Sequence, residues 1–489
     1  MDSVYVYRAT VPRHSGRAGE RSTLDDSVAT WSATALARAV RDKEISSVEL
    51  LDTYLDRIDR LDGPINAVVT LDPERARDAA ADADAATMRG ESFGPLHGLP
   101  VTIKDAIATG GIRSTGGAPE LADHVPEHDA PAVAQLKAAG AIVFGKTNLP
   151  RWSGDMQSFN DVFGTTNNPW DVERVPGGSS GGAAAAVACG FTSFELGTDI
   201  GGSVRLPSHF CGVFGLKPSF GLIPQRGYLS HVGAGAIDAD INVFGPIARS
   251  AQDLDLLLGI LAGPAPEAAV AWRVELPTCR ATSVAGHHIG VWLTDPGCAV
   301  ESEYLAALRA MADRLSDAGA RIDEAHPPVE LTEQARLFFR LVAAAASLSS
   351  PESPDGPGTQ FHRAWLQAQE QRAHIQATWA EWFRQYDALL CPVAMSAAFR
   401  HDHTGSVRDR RIEIDGVSRS HVELAHWNGL IGMVGLPSAV PPVARITGGL
   451  PVGVQVVTPY LQDRRAVKLA GFIADLSGGY TPPPGFGAG

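Results

Sequence analysis

Lysine is scarce in this 489-residue chain: six of its 41 basic residues, at 43, 104, 137, 146, 217 and 468, are lysines. Arginine keeps its proton at any physiological pH, whereas a desolvated lysine can act as a neutral base. Lys104, Lys146 and Lys217 therefore draw attention, because they lie near glycine-rich stretches. Cysteine is equally thin. The five residues, Cys189, Cys211, Cys279, Cys298 and Cys391, are odd in number and far apart, with no CxxC pair. That excludes a zinc ribbon and a disulfide framework, and points to free thiols in a reducing, cytoplasmic setting. No metal and no cofactor is expected. Long apolar runs are missing too, so no transmembrane helix and no membrane partner is expected. The opening "MDSVYVYRATVPRHSGRAGERS" has no apolar stretch of the secretion-signal kind. Residues 1–27 read as a polar, poorly ordered arm.

What is present is the composition of a globular protein, 44% apolar and 20% charged, with a net charge of −14. Such an acid excess argues against a nucleic-acid partner. "SSVELLDTYLDRIDRLD" puts Ser46 and Glu49 in capping-box register, with Val48, Leu51, Leu55, Ile58 and Leu61 at helical spacing. "INAVVT" (65–70) reads as a strand and 73–89 as a helix. A β-type run, Leu99 to Ile103, carries Lys104 at its end. A helix capped by Asp129 and stopped by Gly140 leads into the buried strand Ala141–Phe144. From about 300 to 386 the pattern is mostly helical, with its longest candidate at 359–386. "DALLCPV" (387–393) returns as a strand, and "RRIEIDGVSRS" carries an Asp-Gly hairpin turn. "SPESPDGPGTQ" (350–360) reads as a surface loop. Helices alternating with short apolar strands predict an α/β fold.

Three glycine-rich segments compete for the chemistry. Gly140 to Thr147, "GAIVFGKT", satisfies the P-loop pattern, but its centre is Ala-Ile-Val-Phe, a strand where a phosphate cradle needs bare loop. "VPGGSSGG" (175–182) contains G-x-S-x-G twice, yet the turn-rich "TTNNPWDVERVPGG" before it does not supply the strand that a nucleophile elbow requires. In "GTDIGGSVRLP" (197–207), consecutive glycines let successive N–H groups converge on an oxyanion beside Ser203. Taken alone, the same segment also reads as a tight turn with a capping serine. His209 offers a Ser–His pair, but helical placement sets it beside Pro207 and Cys211 instead.

Taken together, "GLPVTIKD" with Lys104, "VPGGSSGG" with Ser179 and "GTDIGGSVRLP" with Ser203 resemble the amidase signature family of serine hydrolases. "CGVFGLKPSFGLIP", "DINVFGPIARSAQDL" and "GLPVGVQVVTP" extend the similarity over residues 33 to 475. The resemblance implies one large α/β/α sandwich with a mixed central sheet over 28–489. In it the helical stretch at about 264–386 and the loop at 400–420 would shape the pocket entrance. It further implies Ser203 as nucleophile, Ser179 as proton relay and Lys104 as base. The amides of Ile200, Gly201, Gly202 and Ser203 would form the oxyanion hole, and the Gly178–Ser179 bond would be cis. Ser180 also matches a family position, and Asp199 and Arg205 would hold the loop. Lys146 and Lys217 are then structural. The implied reaction is hydrolysis of a small-molecule carboxylic amide through an acyl-serine, with esters, anilides or carbamates as side substrates. A homo-oligomer is compatible with this picture.

The family also includes amidotransferase subunits that feed glutamine-derived ammonia to a partner. The segment 421–437, "HVELAHWNGLIGMVGLP", departs from the Asn-rich stretch of glutamine-specific members. The tryptophans at 152, 170, 365, 379, 382 and 427 read mostly as core. One physical demand follows. A free lysine has a pKa near 10.4, so Lys104 must be buried to serve as a base at neutrality.

Overall fold

The computed structural model describes residues 24–347 and 362–487. Most of the N-terminal arm and the 350–360 patch lie outside the described residues. Residues 24–27, read as part of that arm, are instead tied down. Asp26 opens the 3-10 turn Asp26–Thr30 and accepts from Arg60 Nη2 at 2.6 Å, while Val28 and Ala29 are buried.

Two sheets carry the site. The smaller is built from Val68–Leu71, Ile142–Thr147 and Pro100–Lys104, in that order. The larger, nine-stranded sheet is mixed. It begins with Arg321–Glu324, His288–Val291 and Ala388–Pro392, which are mutually parallel, and passes by antiparallel pairing through Pro451–Val457, Ser438–Val440, Phe214–Lys217 and Val243–Ala248 to Glu195–Asp199 at its end; the ninth strand, Pro442–Arg445, pairs with Pro451–Val457 off this path. Pro100–Lys104 lies against that end strand: the Ser193 amide donates to the Pro100 carbonyl at 3.4 Å, and Lys104 reaches Thr198. The seam between the sheets is where Lys104 meets Ser179 and Thr198.

Strand alternation makes the fold a sandwich. In Ala388–Pro392, Ala388 and Leu390 enter one apolar core, whereas Leu389 and Cys391 enter another on the opposite face. Side chains of period two on a sheet covered on both sides give this result. The first core takes the helices Ser47–Leu61, Gly181–Cys189, Ala251–Leu261, Ser302–Asp317 and Asp463–Ser477. The second takes Leu331–Ala345, His362–Trp382 and His426–Met433.

Several local expectations hold and some move. The capping box of Ser46 and Glu49 forms, and Asp415-Gly416 turns the hairpin between Arg411–Ile414 and Val417–Ser420 with both residues at positive φ. Asp129 does not cap its helix. Pro131 occupies the first position, where its missing N–H costs nothing, and Asp129 instead accepts from the Gly110 amide and Lys137 Nζ. The stretch 264–386 is not helical throughout. His288–Val291 and Arg321–Glu324 are short strands of the main sheet, with Ser302–Asp317 as the crossover between them. Parallel strands require such a connection, and four-residue strands leave little periodicity to read.

Candidate active site

Lys104 ends a fully buried strand. Leu99, Val101 and Ile103 precede it, and its own side chain is wholly out of water. Its Nζ donates to Ser179 Oγ at 2.7 Å and to Thr198 Oγ1 at 2.7 Å. Burial drives its pKa well below the ordinary lysine value, with the charges of Asp199 and Glu195 acting in the opposite sense. Asp105, next in sequence, turns away and bonds to the Thr115 amide and hydroxyl.

Ser179 precedes the helix Gly181–Cys189, and the Gly178–Ser179 bond is cis. A Cβ on Gly178 would stand 2.6 Å from the Asp155 carbonyl oxygen, so only glycine fits there. Every residue of the helix is buried and none is bulkier than valine, which lets it lie close beneath both sheets. Ser180 ties the two glycine-serine segments together. Its amide donates to the Ser203 carbonyl at 3.1 Å, and its Oγ meets the Thr198 amide and carbonyl at 3.4 Å.

The segment 199–205 is held by one clamp. Asp199 accepts from Arg205 Nη2 at 2.8 Å and Nε at 3.0 Å, and from the Val204 amide at 3.1 Å. Arg205 Nη1 reaches on to Gln455 Oε1 at 2.7 Å and the Asn428 carbonyl at 3.0 Å. Burial alone would raise the Asp199 carboxyl, but the Arg205 charge and bonds outweigh it and hold the group at about 2. Such a buried pair, fully hydrogen-bonded, is costly to break.

This clamp corrects one expectation. The Gly202 amide, expected in the oxyanion hole, donates to Asp199 Oδ1 at 2.8 Å and is no longer available. The amides of Ile200, Gly201 and Ser203 meet no acceptor among the described residues. The Ser203 hydroxyl likewise has no partner among them, and the residue is only half-buried, unlike Ser179 and Lys104. Phe338, from Leu331–Ala345, covers the glycine loop so closely that a Cβ on Gly201 would fall 2.8 Å from its ring.

The competing candidates sit elsewhere. Lys146 lies inside the strand Ile142–Thr147, buried, and donates to the Ile107 carbonyl and to Thr109 Oγ1, so the P-loop pattern is not a loop at all. Lys217 Nζ donates to the Pro218 carbonyl. His209 accepts from the Gly453 amide at Nδ1 and contacts the Ser396 carbonyl at Nε2, away from the serines. Sequence reasoning missed Thr198, the second acceptor on Lys104, and Glu195. The Glu195 carboxyl is buried, accepts from Thr147 Oγ1 at 2.9 Å, and is pushed up to about 7 by desolvation. Among the described residues no group of three or more His, Cys, Asp or Glu is placed to hold a metal ion, and no helix is long and apolar enough to cross a membrane.

The amidase family model matches residues 49–354 and 356–467, and the chain belongs to the amidase signature family. A glutamyl-tRNA(Gln) amidotransferase subunit from Moorella thermoacetica is 34% identical over 467 residues, covering 87% of this chain and 92% of the relative. An indoleacetamide hydrolase from Bradyrhizobium diazoefficiens is 33% identical, covering 92% of this chain and 87% of the relative. Among solved structures, a bacterial aryl acylamidase of the amidase signature family superposes with a TM-score of 0.80 at 26% identity, covering 91% of this chain and 96% of that one.

Proposed function

We propose that the chain is an amidohydrolase that cleaves small carboxylic amides through an ester on Ser203. The observation that carries the reading is Lys104 Nζ, wholly buried and 2.7 Å from Ser179 Oγ. An amine kept dry enough to stay neutral takes the Ser179 proton while Ser179 takes that of Ser203, and Ser203 Oγ bonds to the carbonyl carbon. The carbonyl oxygen becomes an oxyanion, facing the amides of Ile200, Gly201 and Ser203. The tetrahedral adduct then breaks its C–N bond. Lys104, through Ser179, returns the proton to the leaving nitrogen. Water, deprotonated along the same route, splits the ester and restores the Ser203 hydroxyl.

The test is covalent labelling. A fluorophosphonate should label Ser203 in the native protein, and Ser203→Ala should abolish both the label and turnover. Near-normal turnover by Ser203→Ala would overturn the assignment.

A second reading is supported by the similarity to the glutamyl-tRNA(Gln) amidotransferase of Moorella thermoacetica. In that reading the same chemistry releases ammonia from glutamine for a partner protein. Glutaminase activity that appears only when amidotransferase partner proteins and tRNA are added would favour it. Hydrolysis of simple amides by the isolated chain favours the first.

A further inference from the structure

A cavity of about 520 Å3 opens between the loop 228–240 and the helices Leu331–Ala345 and His362–Trp382. Two ties connect it to the catalytic candidates. Tyr228 lies in its wall, buried, and its backbone bridges to Ile107, three residues beyond Lys104. The backbone beside Tyr228 is bonded to the chain just after Lys104, the Leu229 amide donating to the Ala106 carbonyl at 2.8 Å. The second tie is the helix Leu331–Ala345. Phe338 covers Gly201, and Ala344 and Ala345 line the cavity, about 9 Å further along at 1.5 Å per residue.

The lining mixes apolar and aromatic groups with Ser230, Ser347 and the imidazoles of His231 and His362, and carries two carboxylates. Ile237, Trp365 and the two alanines supply the body, and Asp238 and Asp240 the charge; no lysine or arginine lines the cavity among the described residues. The two carboxylates differ. Asp240 Oδ2 is engaged by Gln369 Nε2 at 2.6 Å and Trp365 Nε1 at 3.3 Å, and Arg372 Nη1 donates to its backbone carbonyl, so Asp240 holds the wall. Asp238 is exposed, gives Oδ1 to the Gln225 amide at 2.9 Å, and its second oxygen takes no partner among the described residues. A pocket of this size suits a drug-sized ligand, and its few placed polar groups set orientation.

From this lining we infer that the site accepts amides with an apolar or aromatic body that is neutral or positively charged at its far end, that it disfavours those ending in a carboxylate, and that Asp238 sets the preference. The inference rests on the amidase reading above. Opposite charges a few ångströms apart in water are worth enough to change a rate about fivefold, and like charges cost the same. The preference should fade as salt rises.

The experiment uses three phenylacetamides, para-substituted with aminomethyl, methyl or carboxylate, at pH 8, above the ordinary titration of histidine. The cation-to-anion ratio of kcat/KM should be about tenfold or more, shrink at high salt, and collapse toward one in Asp238→Asn. Faster turnover of the carboxylate, or a ratio that Asp238→Asn leaves intact, would overturn the inference. Should none of the three be hydrolysed, the amidase reading fails for this class. The charge preference is still read by equilibrium dialysis of the same compounds against Ser203→Ala, where equal or tighter binding of the carboxylate overturns it.

Discussion

Lys104 and Lys146 stand on neighbouring strands of one small sheet, both wholly out of water, yet their surroundings differ in the one respect that matters for a base. Lys104 Nζ meets two hydroxyls, of Ser179 and Thr198. A hydroxyl both accepts and donates, so it satisfies the amine in either protonation state and can pass a proton onward. Lys146 meets a backbone carbonyl and the Thr109 hydroxyl. A carbonyl only accepts and favours the ammonium. The charge of Asp105 acts the same way, so burial lowers Lys146 only to about 8, while Asp105 itself rises to about 6. Burial lowers a lysine; the partners decide whether the lowered lysine can do chemistry.

The sharpest way to break this contrast is to remove each amine in turn. Lys104→Ala should cut kcat by about a thousandfold or more with an unchanged circular dichroism spectrum. Lys146→Met should keep kcat within a small factor but lose about 3 kcal/mol of stability in urea unfolding, because Asp105 is left buried without its counter-charge. A Lys146 variant that folds but does not turn over would erase the distinction.

Next in size is the pH dependence. Lys104 acts only when unprotonated, and its pKa in the fold is depressed. Turnover should therefore be present above that lowered value and fall as pH drops through it. A limb near the ordinary lysine value of about 10 would mean that the amine is not dry.

Thr198→Val should lower kcat by about tenfold, the worth of one buried hydrogen bond, and Thr198→Ser should restore it. The smallest effect belongs to Glu195, whose negative charge raises the Lys104 pKa. Glu195 itself sits at about 7, so Glu195→Gln should leave a limb that falls below neutrality in place and move one that falls above it to lower pH by less than about one unit. A limb that moves upward would show that Glu195 acts through packing alone.

Much of this was legible in the chain because the signals were local. The Ser46–Glu49 capping box, the Asp415-Gly416 hairpin and Lys104 at the end of an apolar run all depend on residues within a few positions of one another. The glycine-serine segments were visible for the same reason. What escaped depends on contacts distant in sequence. Thr198 becomes a partner of Lys104 only when the end strand of one sheet lies beside the edge of another, and a threonine between Gly197 and Asp199 carries no mark of that. Phe338 and Tyr228 reach the site from helices and loops without motifs. The Gly202 amide was misjudged because glycine pairs advertise free N–H groups without saying which one a nearby carboxylate will claim.

The alanine-rich helix Gly181–Cys189 leaves no room beneath the seam for anything larger than what is there. A chain built this way must pass its cutting machinery on whole, since nearly any enlargement there would push the two sheets apart. New tastes in substrate have to be written at the other end, at exposed positions of the 228–240 loop such as Ile237 and Asp238, where a changed side chain meets solvent.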